Sequence, residues 1–182
     1  MSKLTIHTIG HRNRSVEDLI KHLSTHDIKT LVDIRAFPRS RRHPHFNRAT
    51  LGATLAAVNI HYQWHGDGLG GFRKPHRDSP HTALGDAAFR GFADYMDSAA
   101  FSAAANTLLK LAQDARIAIM CAEADYQHCH RQFIADYLSR QQIEVRHIGS
   151  DGTIRAHHYN GCLNLNGAAA VYNRHEQGDL FD

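Results

Sequence analysis

A chain of 182 residues with 42% hydrophobic and 21% charged content has the make-up of a soluble globule and is long enough to bury one core, about two-thirds of the surface its unfolded form exposes. No apolar run approaches the ~20 residues that a membrane-spanning helix requires. The start MSKLTI lacks the basic region, apolar stretch and small-residue cleavage site of a secretory signal, so no membrane association and a cytoplasmic location are expected.

Residues 5–9 are β-prone and stop at Gly10-His11. Ser15, with an acid at Asp18, has the form of a helix-start cap, and Leu19, Ile20 and Leu23 supply the inner face of the first helix. Residues 29–34 (KTLVDI) read as a second strand ended by Phe37-Pro38. Asn47 can cap a helix carrying Leu51, Leu55 and Val58, and residues 60–64 form a third strand closing on Gly66, Gly68, Gly70 and Gly71. Residues 73–85 are polar, with prolines and histidines, and read as a loop.

Two helices follow, over 87–96 and the alanine-rich 98–113. Residues 116–121 (RIAIMC) are a continuous apolar run of the kind buried on both faces of a parallel sheet. A helix over 128–141 and a strand over 144–148 complete the alternation. The expected fold is α/β: a three-layer domain over residues 1–150 with a mainly parallel sheet of about five strands and helices on both faces. Residues 151–182 lack a sustained period and read as an irregular extension, its last ~25 residues an extended tail.

The net charge of +3 is small but unevenly distributed. No acid occurs between Ile34 and Gly66, while Arg35, Arg39, Arg41, Arg42 and Arg48 fall there with His43 and His45. That loop is an anion-seeking patch or an ordinary solvated face. Three cysteines without an export signal argue against a disulfide framework and for free thiols.

In open parallel sheets, ligands bind outside the carboxyl ends of the strands. The loops there carry Gly10-His11-Arg12, Asp33 and Arg35 with Phe37-Pro38-Arg39-Ser40, Asp67 with the glycines of 66–71, and Cys121 with Glu123. Cys129-His130-Arg131 follow at a predicted helix start, where unpaired amides and the macrodipole lower a thiol pKa and favour an anion. Candidate catalytic residues are therefore His11, Asp33, Cys121, Glu123 and Cys129. Arg35, Arg39, Arg41, Arg42, His130 and Arg131 are candidates for binding phosphate or nucleic acid. Cys121, Glu123, Cys129 and His130 also include metal-ligand types, but their spacing matches no recognised zinc pattern, so neither a metal nor a cofactor is assigned. Buried thiols with no chemical role are the plain alternative for the cysteines.

Gly10-His11, VDIRAFPRS over 32–40, Phe46-Asn47, Leu69-Gly70-Gly71, Cys121-Ala122-Glu123 and Cys129-His130-Arg131 together resemble the bacterial family called domain of unknown function 488, over about residues 4–148. The resemblance implies a compact α/β domain and adds weight to those positions as a site. It carries no reaction.

The tail raises a separate expectation. Gln177-Gly178-Asp179-Leu180-Phe181 resembles the short peptide, Gln-x-Ser/Asp-Leu-Phe, by which bacterial proteins bind the DNA polymerase sliding clamp. In that resemblance Gln177 and Asp179 hold polar positions, while Leu180 and Phe181 fill an apolar groove. With the arginine loop, this suggests a DNA-maintenance protein, recruited by the clamp and acting on a nucleotide, damaged base or nucleic-acid phosphate. A noncatalytic nucleic-acid-binding adaptor and a nucleotide or small-anion enzyme unrelated to DNA are the alternatives.

Overall fold

The computed structural model describes residues 3–167 and 169–174. Its centre is a six-stranded sheet formed by β1 (Thr5–Gly10), β2 (Thr30–Asp33), β3 (His61–Trp64), β4 (Ile117–Cys121), β5 (Glu144–Ile148) and β6 (Ile154–Ala156). The spatial order is β3-β2-β4-β1-β5-β6. The first five strands are parallel, and β6 runs antiparallel to β5.

The apolar run of β4 explains its central place. Ile117, Ile119 and Cys121 point into one core, and Ala118 and Met120 into the other. On the second face α1 (Val16–Thr25) and α2 (Arg48–Ala56) supply Leu19, Leu23, Leu51 and Leu55. On the first, α4 (Ala87–Tyr95), α5 (Ala99–Asp114) and α6 (Arg131–Arg140) supply Phe92, Phe101, Leu108, Phe133 and Leu138. The fold is thus the three-layer α/β arrangement that the alternating pattern predicts. Between β3 and α4 lies a single helical turn, α3 (Gly66–Leu69), where the glycines read as a turn.

Serine and aspartate caps behave as their chemistry demands, whereas Asn47 does not. Ser15 Oγ accepts from the Asp18 amide at 3.1 Å, and Asp86 and Ser98 cap α4 and α5. Asn47 precedes α2 without capping it. Its Oδ1 accepts instead from the Ser40 amide at 2.6 Å, which closes the basic loop on itself.

The region beyond Gly149 contains more structure than its sequence suggests. Besides β6, a two-stranded ladder pairs β7 (Leu163–Asn164) with β8 (Val171–Tyr172), and Leu163 and Tyr172 sit within the first core. The Tyr172 hydroxyl donates to Asp136 at 2.9 Å, a carboxylate also held by His157 at 2.8 Å. Tyr172→Phe should therefore lower stability by about 2 kcal/mol, the scale of a lost hydrogen bond to a buried charged group. Equilibrium urea unfolding measures this, and an unchanged midpoint would show that the ladder is not coupled to the core.

The topology also fixes where a ligand can enter. From β2 the chain continues to β3 at one edge, whereas from β4 it continues to β5 on the other side of β1. The loops after β2 and β4 therefore diverge, and adjacent strands with diverging connections leave a crevice at their carboxyl ends. Among the described residues no helix is long and apolar enough to cross a membrane.

Candidate active site

The crevice between β2 and β4 holds a cavity of about 260 Å³ lined by Arg35, Phe37, Phe72, Phe89, Glu123 and the cluster Cys121, Cys129 and His130. A second cavity, of about 500 Å³, adjoins it and is lined by His11, Arg12, Arg39, Ser40 and His43. The two share Arg35, Phe37, Ala122 and Glu123. One compartment is aromatic with sulfur at its base; the other is cationic.

The sulfur cluster depends on a tight loop. The β4 strand ends at Cys121, a 3₁₀ turn over Tyr126–His128 follows, and α6 begins only at Arg131. Cys129 is thus extended, with φ −139°, and precedes the helix rather than occupying its first turn. Gly10 is needed below this loop: a Cβ there would lie 1.8 Å from the Glu123 carbonyl oxygen. Arg131, only 1% exposed, ties the loop down. Its guanidinium donates to the Glu123 and Ala124 carbonyls and to Thr8 Oγ1.

His130 Nδ1 faces both sulfurs, 3.9 Å from Cys121 Sγ and 3.7 Å from Cys129 Sγ. The Cys129 thiol is pushed well below the ordinary range, first by its hydrogen bond with Cys121 and further by His130 and Arg131. Cys121 is pushed well above it, by the same bond and by burial. The two thiols therefore titrate as a pair, with Cys129 the one favoured to lose its proton. Such a thiolate suits covalent attack on an electrophile or coordination of a soft metal ion.

Other predicted residues have different roles from those their types suggest. Asp33 has no exposed surface. It accepts from the Arg35 amide at 3.0 Å, Arg35 Nε at 2.9 Å, Arg35 Nη2 at 2.6 Å and the Tyr62 hydroxyl at 2.6 Å. All its acceptor capacity is used inside the protein, so it is a strut and not an acid or base for a ligand. Arg35 also donates to the Phe46 carbonyl at 2.8 Å and to His11 Nε2 at 3.1 Å, which leaves little of it for a phosphate. Arg131 is likewise committed to the loop.

His11 is buried, stacked on Phe46 at 4.1 Å, with Nδ1 2.9 Å from the Arg12 carbonyl. Burial, then the Arg35 cation, pulls its pKa down to about 4. It is neutral, donating through Nδ1 and accepting through Nε2, and braces the floor of the cationic compartment. Glu123, Arg39, Arg41 and Arg42 are exposed; of these, Glu123 and Arg39 line the cavities.

The sequence places Arg12 and Phe37 in the loops of the candidate pocket without giving either a role, and Phe72 and Phe89 were missed. Phe37 and Phe72 are 72% and 76% exposed, with ring centroids 5.5 Å apart. The available signal was the oddity of large aromatic side chains in polar loops. The peptide Gln177 to Phe181 lies outside the described residues.

No curated protein and no solved structure matches the chain. The family model described as "Domain of unknown function DUF488" matches residues 15–138. That span holds both sides of the crevice and the whole sulfur cluster, though not Gly10 and His11, which the motif resemblance includes. The chain belongs to the DUF488 family.

Proposed function

We propose that the protein is an enzyme of DNA maintenance that acts on a nucleotide, free or within a nucleic acid, at the carboxyl edge of its sheet, with Cys129 at the reaction centre. One observation carries this reading: an aromatic cavity lined by the paired thiols of Cys121 and Cys129 adjoins a cationic cavity and shares four lining residues with it. A flat base suits the Phe37–Phe72–Phe89 wall, where stacking contributes about 1–3 kcal/mol per base. The attached phosphate suits Arg12, Arg39 and His43. Glu123, which lines both compartments, is placed to exchange a proton with a ligand that spans them.

Fluorescence anisotropy with a short single-stranded oligonucleotide tests the ligand class. Phe72→Ala should weaken binding about tenfold, the loss of one stacked base. Arg39→Glu should weaken it and lower the salt dependence by about one phosphate contact. Parental affinity in both variants would exclude the cavity as the binding site, and inorganic phosphate competing as well as a mononucleotide would favour a small-anion enzyme.

Recruitment by the sliding clamp is supported by the sequence of Gln177, Asp179, Leu180 and Phe181. A fluorescent peptide of residues 172–182 should bind the clamp, and Leu180→Ala with Phe181→Ala should abolish that binding. If the double variant binds as the parent does, the proposal of recruitment is lost while the nucleotide site is untouched.

A further inference from the structure

We infer that Cys121, Cys129 and His130 together bind a zinc ion, with a fourth coordination position that faces the aromatic cavity. Their donor atoms, Sγ, Sγ and Nδ1, all lie within 4.8 Å of one another. Metal–sulfur bonds of about 2.3 Å and metal–nitrogen bonds of about 2.0–2.1 Å, set tetrahedrally, imply edges of about 3.6 Å between sulfur and nitrogen and about 3.8 Å between sulfurs. The observed separations of 3.9 and 3.7 Å from His130 Nδ1 to the two sulfurs are within a few tenths of an ångström of that edge. They are long for hydrogen bonds. One ring nitrogen directed at two sulfurs at once also serves a shared ion better than either sulfur alone.

The ring is held in this orientation by packing. His130 stands edge-on to Phe92 at 5.1 Å, and a Cβ at Gly71 would come within 2.7 Å of Nδ1. Only glycine leaves room there for the imidazole to face the cysteines. Nδ1 is the ring nitrogen that faces the two sulfurs, while Nε2 is buried away from them without a partner among the described residues. Two thiolates and an imidazole favour zinc over magnesium or calcium, which take oxygen donors. Three protein ligands beside an open cavity are the pattern of a catalytic rather than a structural zinc site. The spacing hides this in the sequence: seven residues lie between Cys121 and Cys129, and the intervening loop is folded back with its Glu123 and Ala124 carbonyls held by Arg131.

This inference deepens the proposed function and rests on it only for what occupies the open position. In it Cys129 serves the reaction as a ligand, and the ligand's proton partner is Glu123, which lines the same cavity. The test uses the full chain purified under reducing conditions. Elemental analysis should find about one zinc per chain. Cobalt titrated after chelation should give the sulfur-to-metal charge-transfer band and strong visible bands of a tetrahedral site. Cys162→Ser should keep the metal, whereas Cys129→Ser and His130→Gln should lose it with the far-ultraviolet dichroism unchanged. If a variant fails to fold, the cobalt spectrum of the parent still decides. A parent chain that takes up neither ion, or a Cys129→Ser chain with parental zinc content, overturns the inference. Zinc uptake without any nucleotide affinity sustains it while removing the nucleotide reading, and oligonucleotide binding by a parent that cannot load metal does the reverse.

Discussion

Asp33→Asn should lower the stability of the folded chain by about 3–5 kcal/mol, the cost of removing one member of a buried ion pair. For a chain of this size that corresponds to a fall in Tm of roughly 10 °C. The carboxylate is fully sealed, and it accepts four hydrogen bonds, three of them from Arg35. Asparagine keeps the shape but removes the charge, so the guanidinium of Arg35, itself only 7% exposed, is left without its counter-ion in a poorly solvated place. Arg35 also holds the Phe46 carbonyl and His11, and its loop carries Phe37 and Arg39. Oligonucleotide affinity should therefore fall along with stability. Replacing both partners at once, as Asp33→Leu with Arg35→Met, should recover much of the stability, because no isolated charge remains. Thermal and urea unfolding of the two variants checks this, and a loss below about 1 kcal/mol in Asp33→Asn would mean that the pair is not the support described here.

Acidification should produce a second large effect. His7, His11 and His147 are all buried. Burial first, and neighbouring cations next, pull their pKa values from 6.5 to about 4, about 4 and about 2. Each ring is therefore neutral in the folded chain, while the unfolded chain begins to take up protons as pH falls through about 6.5. Their contribution to stability is full above that value and is lost progressively as pH drops toward the folded pKa values. By pH 5 each costs up to about 2 kcal/mol. The surroundings make relief difficult. His147 Nδ1 is paired with Thr8 Oγ1 at 2.7 Å and its Nε2 with His157 at 3.0 Å, and Tyr126 is stacked on its face at 3.4 Å. His11 is fixed between Arg12 and Arg35. His7 faces Arg116 and Arg146 as well as His26. A urea midpoint that falls steeply between pH 7 and pH 5 is the expected outcome; a flat profile over that range would show that these rings are solvated or already charged.

How much of this was legible in the sequence depends on whether a residue's role is set locally. The apolar run of β4 and the Ser15 cap could be read directly, because burial on both faces and a short side-chain acceptor leave plain local marks. The start of α6 was misplaced by three residues because a separate 3₁₀ turn intervenes. Cys129 consequently lies outside the first turn of α6, and its thiol is lowered by Cys121 first and by His130 and Arg131. The ladder at residues 163–172 was illegible since Tyr172 is placed by Asp136 and His81, which lie 36 and 91 residues away in sequence. Charge was legible and partnership was not. Asp33, Arg35 and Arg131 were found at the sheet edge as expected, yet each is occupied with internal hydrogen bonds, while Phe37, Phe72 and Arg12 line the cavities without any periodic signal. Cys121, Glu123 and Cys129 were brought together as the carboxyl-edge rule implied.

Photochemical cross-linking locates the bound nucleotide most directly. A short oligonucleotide carrying 5-iodouracil, irradiated with the full chain and mapped by mass spectrometry, should attach to the peptides that contain Phe37 or Phe72, and an excess of unlabelled oligonucleotide should suppress both. Attachment confined to the outer helix Ala99–Asp114, with Phe37 and Phe72 unlabelled, would contradict the account.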